Sequence, residues 1–94
     1  MLETKAIECI ISGRVQMVMY RDFVRRKAHG LELVGTVENK KDGTVRVIAQ
    51  GEEEHLKEFI ETLHKGPFLA HVSRVTVTWR EPLTDIVGFT LVYE

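Results

Sequence analysis

The segment "KAIECIISGRVQMVMYRDFVRRKAHGL", residues 5–31, decides the fold, because the spacing of its apolar side chains changes partway along it. In its first part, Ile7, Cys9 and Ile11 recur at every second position, which predicts a strand with one face toward a core. In its second part, apolar residues recur at steps of three and four among charged ones, which predicts an amphipathic helix. The segment therefore predicts a strand that leads through a short loop into a helix.

The rest of the chain continues with the same two spacings. The segment "TVRVIAQG" alternates, whereas "EEEHLKEFIETLHKG" carries one apolar stripe and begins with acidic residues, which favour a helix start. The pair Asp42-Gly43 predicts a tight hairpin turn. The predicted strands cover residues 5–12, 33–40, 44–51, 70–79 and 88–94, and the predicted helices cover 21–31 and 52–66.

This order of elements predicts an α+β fold. Strand, helix, strand, strand, helix and strand follow one another in the ferredoxin-like βαββαβ sandwich. We expect an antiparallel sheet with both helices on one face and an extra short C-terminal strand. The expected core consists of Phe23, Ala28, Leu56, Phe59 and Leu63 packed against Ile7, Cys9, Val45, Val47 and Val77.

Composition limits the function classes. The 94 residues, 44% hydrophobic and 29% charged, are typical of one soluble globular domain, which we expect to span residues 1–94 as a monomer. A net charge of −1 disfavours nucleic-acid binding, and no stretch approaches the roughly 20 apolar residues of a membrane span. Cys9 is the only cysteine, the N-terminus is too polar for a signal peptide, and the histidines form no metal-binding pattern. We therefore expect a cytoplasmic protein without a cofactor or metal.

The loop between the first strand and the first helix is the candidate anion site. Backbone N–H groups at a helix start have no acceptor within the helix, and the helix dipole adds positive potential there. Arg21 stands at this helix start, and its planar guanidinium can bind two oxygens of a phosphate or carboxylate. The residues therefore predict an oxyanion site from Val15 to Arg21, which takes phosphate or sulfate.

Asn39 is the second candidate. In the expected topology the second strand runs parallel to the first, so its end and the following hairpin come near the first loop. The amide of Asn39 could there accept a hydrogen bond from a water and donate one to a bound anion.

The residues also carry a resemblance to a known family. "GRVQMVMYRDF", "GTVENKKDGTVRVIAQG" and "KGPFLAHVSRVTV" are, in this order, similar to the motifs of the acylphosphatase family. The matching positions are Gly13, Val15, Gln16, Val18, Tyr20, Arg21, Phe23, Ala28, Gly35, Val37, Asn39, Asp42, Gly43, Val45, Gly51, Phe59, Leu63, Gly66, Pro67, Ala70, Val72, Phe89 and Tyr93.

The resemblance implies an enzyme that hydrolyses small acyl phosphates to a carboxylate and inorganic phosphate without a metal. The family's catalytic arginine falls on Arg21, and its catalytic asparagine falls on Asn39. Its phosphate-binding amides fall on the first loop, whose residues here are Val15, Gln16, Met17, Val18, Met19 and Tyr20.

Met17 and Met19 depart from the family pattern, which usually has Gly at the first position and a small residue at the second. If the backbone needs a positive φ there, each methionine is strained by about 1–3 kcal/mol. If the glycine instead gives the ligand clearance, a methionine side chain narrows the site. In both cases we expect a folded enzyme that works below the usual rate for the family.

Less specific interpretations remain beside these. Arg21 could be a solvated helix-start residue, Asn39 could bond its own turn, and both methionines could fill the edge of the core. The same fold also occurs in RNA-binding domains, but "TVRVIAQG" lacks their exposed aromatic residues. An acylphosphatase-like module with weakened or lost activity is the main alternative function. A domain of a larger carbamoyl-phosphate-handling protein is another.

Overall fold

The computed structural model describes residues 3–93, and its elements follow the predicted order. The elements are β1 (Thr4–Arg14), α1 (Tyr20–Gly30), β2 (Val34–Asn39), β3 (Val45–Glu52), α2 (Glu53–Lys65), β4 (His71–Arg80) and β5 (Phe89–Val92). Each boundary lies within two residues of the predicted one, and residue 94, the predicted end of the last strand, lies outside the described residues. Hydrophobic periodicity was therefore sufficient to locate every helix and strand.

The five strands form one sheet in the order β4-β1-β3-β2-β5. β3 lies between β1 and β2 and is antiparallel to both, so β1 and β2 run in the same direction, as predicted. The sheet is mixed rather than antiparallel throughout, because β5 pairs with β2 in parallel. β4 ends at the same edge of the sheet at which β2 begins. The chain therefore enters β5 from that edge, and β5 runs in the same direction as β2.

The core lies between the sheet and the two helices, which pack on one face. The alternating residues Ile7, Cys9 and Ile11 of β1 are fully buried there, together with apolar residues of both helices. The expected core is confirmed, although Phe23 and Val77 are only partly buried at its edge. Burial raises the pKa of the Cys9 thiol to about 12, so this cysteine is an inert core residue.

Gly13 shapes the end of β1, from which the first loop departs. The register between β1 and β4 shifts at Ser12 and Gly13, where Gly13 has a φ of 120°. A Cβ atom at Gly13 would lie 2.1 Å from the carbonyl oxygen of His71. Only glycine allows this close approach, so it fixes the direction in which the chain enters the loop.

Candidate functional site

The first loop is fixed at both ends by buried side chains. Val15 is buried at its start, and Tyr20, the first residue of α1, is buried at its end. The Tyr20 hydroxyl donates a hydrogen bond of 2.8 Å to the carbonyl oxygen of Leu63 in α2. Burial raises the pKa of Tyr20 well above its usual value, so this hydroxyl stays protonated as a donor. The position of the loop is therefore fixed by contacts with the core and with α2.

The side chain of Gln16 ties the loop to the β2–β3 hairpin. Its Nε2 donates hydrogen bonds of 2.8 Å to the carbonyl oxygen of Lys40 and 2.9 Å to that of Thr44. These bonds hold the loop beside Asn39. The family resemblance implies only a phosphate-binding amide at Gln16. This side-chain role was not predicted, because nothing local in the sequence reveals partners more than 20 residues away.

The loop backbone forms a row of free donors. Met17 and Met19 have φ values of 60° and 62°, whereas Gln16 and Val18 are not among the residues with positive φ. Such alternation turns successive N–H groups toward one side, as in anion-binding nests. The backbone hydrogen bonds among residues 3–93 include none donated by the amides of residues 16–19, and Met19, the N-cap residue of α1, makes no side-chain cap hydrogen bond. The loop therefore has the arrangement that binds an oxyanion.

Arg21 and Asn39 meet beside this loop. Both line a cavity of about 160 Å³ whose other walls are Val15, Met17, Met19, Tyr20, Asp22 and Leu91. Both also line an adjoining cavity of about 310 Å³, together with Lys40, Lys41, Val92 and Tyr93. The structure thus brings together the two side chains that the sequence analysis paired.

The charge of Arg21 is not neutralised by any carboxylate in the described part of the chain. Its neighbour Asp22 instead pairs with Arg25 at 3.7 Å and Arg26 at 2.9 Å. The Arg21 guanidinium carbon lies 5.4 Å from the ring centroid of Tyr93, which holds it in place by a cation–π contact. Arg21 is half-buried and lines the cavity, so its charge is available to a ligand there.

Asn39 ends β2 with an unsatisfied acceptor. Its Oδ1 is buried and accepts no hydrogen bond from residues 3–93. It does not accept a hydrogen bond from the following turn. There, the Thr44 amide at 3.0 Å and the Thr44 hydroxyl at 2.7 Å donate to Asp42 Oδ1 instead. A buried acceptor without a donor costs about 1–3 kcal/mol. Its position is explained when a water or ligand in the cavity donates to it.

The methionine side chains do not fill the edge of the core. Met17 is 97% exposed and Met19 is 72% exposed, so that interpretation is wrong. Because these side chains point so far into solvent, their exposure also gives no support to the alternative in which a methionine side chain narrows the phosphate site. The positive φ required for the strain alternative is present at both residues, at a cost of about 1–2 kcal/mol each. The lower rate expected from that strain stays a prediction.

A larger cavity, about 760 Å³, lies elsewhere, near the start of β1 and the end of β4. Two of the cations that line it are paired, since Lys5 contacts Glu3 at 3.1 Å and Lys57 contacts Glu53 at 3.0 Å, and Arg80 and Glu81 line it as well. Neither Asn39 nor any residue of the first loop lines this cavity, so it does not combine a cation with the unpaired loop amides. The described residues contain no cluster of three or more His, Cys, Asp or Glu that could hold a metal ion. Within residues 3–93, no helix is long and apolar enough to cross a membrane.

Known proteins of one family match most of this chain in sequence and in fold. The model of the acylphosphatase family matches residues 7–91. An acylphosphatase of Salinibacter ruber is 41% identical over 85 residues, which are 90% of each chain. The crystal structure of acylphosphatase from Bacillus subtilis superposes with a TM-score of 0.91 at 35% identity, covering 95% of this chain and 99% of that one. Full-length HypF in its phosphate- and nucleotide-bound form gives a TM-score of 0.89 at 28% identity, covering 98% of this chain and 12% of HypF.

Proposed function

This chain belongs to the acylphosphatase family, and we propose that it hydrolyses acyl phosphates with Arg21 and the first-loop amides as the phosphate site. Asn39 positions the attacking water. The observation that carries this assignment is the meeting of Arg21 and Asn39 in one cavity beside the unpaired loop amides. Arg21 binds two phosphoryl oxygens through its planar fork, and the loop N–H groups bind the rest of the phosphoryl charge.

The reaction needs few other groups. The water oxygen forms a bond to phosphorus while the bond from phosphorus to the acyl oxygen breaks, and that electron pair leaves with the carboxylate. A carboxylate has a pKa of about 4, so no general acid has to protonate it. A phosphoryl oxygen of the substrate takes the proton of the water. Catalysis then consists of positioning and charge stabilisation, which is what loose phosphoryl-transfer transition states require.

Asn39 suits the role of positioning the water. Its buried Oδ1 lacks a donor among residues 3–93, and a water in the cavity can supply one. Its Nδ2 can at the same time donate to a phosphoryl oxygen. The asparagine thus holds the water against the phosphorus without removing its proton.

We propose that residues 1–94 act as a single domain and as a monomer, without a metal or cofactor. A cytoplasmic location is supported by the single, buried, free cysteine, since disulfides mark oxidising compartments.

The assay that tests the function measures phosphate release from benzoyl phosphate by the full chain in excess EDTA, corrected for spontaneous hydrolysis. We expect catalysed release that EDTA does not reduce. Phenyl phosphate is the matched control, because its phenolate leaving group has a pKa of about 10 and needs an acid that the cavity lacks. Absence of catalysis, or catalysis only after addition of Mg²⁺, would contradict the proposal.

A further inference from the structure

The charged cavity has an apolar rim. Met17 and Met19 line the cavity that contains Arg21 and Asn39, and both methionine side chains are mostly exposed. Leu91 lines the same cavity from β5, and Tyr93, 76% exposed, lines the adjoining one. We call Met17, Met19, Leu91 and Tyr93 the apolar rim. Leu91 is half-buried, whereas the other three are mostly exposed. Exposed apolar side chains around a polar site are a feature of ligand-binding surfaces.

The backbone gives a second, independent observation. Both methionines have left-handed φ values, a conformation that glycine adopts without strain and other residues adopt at a cost. A methionine in this conformation adds strain and leaves its side chain in water. Strained residues at a functional site point to a role there. Since the side chain is what distinguishes methionine from glycine, the role belongs to the side chains.

We propose that Met17 and Met19 bind the acyl group, so that this enzyme prefers acyl phosphates with an aromatic or long aliphatic acyl group. This inference rests on the proposed function. Val15 and Tyr20 are buried and form the inner walls of the small cavity. The acyl group of a substrate whose phosphoryl group is bound there therefore extends outward, along the apolar rim. Methionine side chains are flexible and polarisable, and they pack well against aromatic rings. An acetyl group is too short to gain much from this contact.

Three variants separate the side chains from the backbone. The pair Met17→Asn with Met19→Asn removes the apolar side chains and keeps a residue type that tolerates left-handed φ. The pair Met17→Leu with Met19→Leu keeps apolar side chains at both positions. Val87→Asn is the matched surface control, because Val87 is 86% exposed and lies before the start of β5, whereas the site is at the other end of that strand, near Val92.

The readout is the ratio of kcat/KM for benzoyl phosphate to kcat/KM for acetyl phosphate. Any effect of a substitution on the phosphate cradle acts on both substrates and cancels in the ratio. We expect the asparagine pair to lower the ratio about tenfold, equivalent to losing about 55 Å² of apolar contact at about 25 cal/mol per Å². The leucine pair should stay within about twofold of wild type, and Val87→Asn should equal it.

Each other outcome overturns the inference. An unchanged ratio in the asparagine pair, with both substrates hydrolysed, would reject the acyl contact and leave the proposed function standing. An equal fall in the leucine pair would show that apolar character is not the determinant. If wild type hydrolysed neither benzoyl phosphate nor acetyl phosphate, the proposed function and this inference would both be rejected. Should the asparagine pair fail to fold, product inhibition of wild type decides: benzoate should inhibit at least about tenfold more strongly than acetate, and equal inhibition rejects the inference.

Discussion

Arg21→Ala is expected to lower kcat/KM for benzoyl phosphate by about a thousandfold or more. Arg21 places an unneutralised guanidinium in the cavity, and the described residues around it offer no second unpaired arginine. In the proposed mechanism its charge acts on the phosphoryl group both before and during the reaction. We therefore expect a higher KM and a lower kcat together, and both are obtained from steady-state phosphate release.

Two further variants sharpen this test. Arg21→Lys keeps the charge but loses the fork that binds two oxygens, so its loss should lie between wild type and alanine. Arg25→Ala is the matched control, since Arg25 lies on the same helix and is paired with Asp22. It should retain wild-type kinetics. If Arg21→Ala kept kcat/KM within about threefold of wild type, less than 1 kcal/mol of transition-state stabilisation, Arg21 would not be the phosphate-binding residue.

Asn39→Ala is expected to lower kcat by about a hundredfold or more with a smaller change in KM. The reason is that its proposed partner is the attacking water rather than the substrate in the ground state. Asn39→Asp keeps an acceptor but adds negative charge beside the phosphoryl group. It should therefore raise KM as well as lower kcat.

A stability measurement separates this role from a structural one. The Oδ1 of Asn39 is buried without a donor among residues 3–93, so the folded protein gains little from it. Asn39→Ala should leave the free energy of unfolding unchanged or raise it by about 1 kcal/mol in urea denaturation. A variant that lost both stability and activity would indicate that Asn39 supports the fold instead.

Local patterns in the sequence predicted the fold well because the elements differ in period. The step from alternating residues in β1 to three- and four-residue spacing in α1 is visible without any tertiary information. The parallel pairing of β5 with β2 was missed, because a four-residue strand carries no local signal for its partner or direction. The pairing follows only from where β4 ends in the folded sheet.

The site was predictable in part. The approach of Asn39 to Arg21 followed from the parallel course of β1 and β2 once the topology was assumed. The hydrogen bonds from Gln16 to the hairpin could not be predicted in this way, because their acceptors are main-chain carbonyls, which no residue type identifies. The exposure of Met17 and Met19 was also hidden, since apolar residues are normally expected inside and only the left-handed backbone turns them outward.

The proposed mechanism depends above all on the binding of the phosphoryl group by the first loop and Arg21. The most direct measurement is a titration of the full chain with inorganic phosphate, followed through backbone amide NMR shifts and hydrogen exchange. We predict saturable shifts and slower exchange at the amides of residues 16–21, with Arg21→Ala weakening the binding. Saturable protection at another surface, with the loop amides unchanged, would contradict the account.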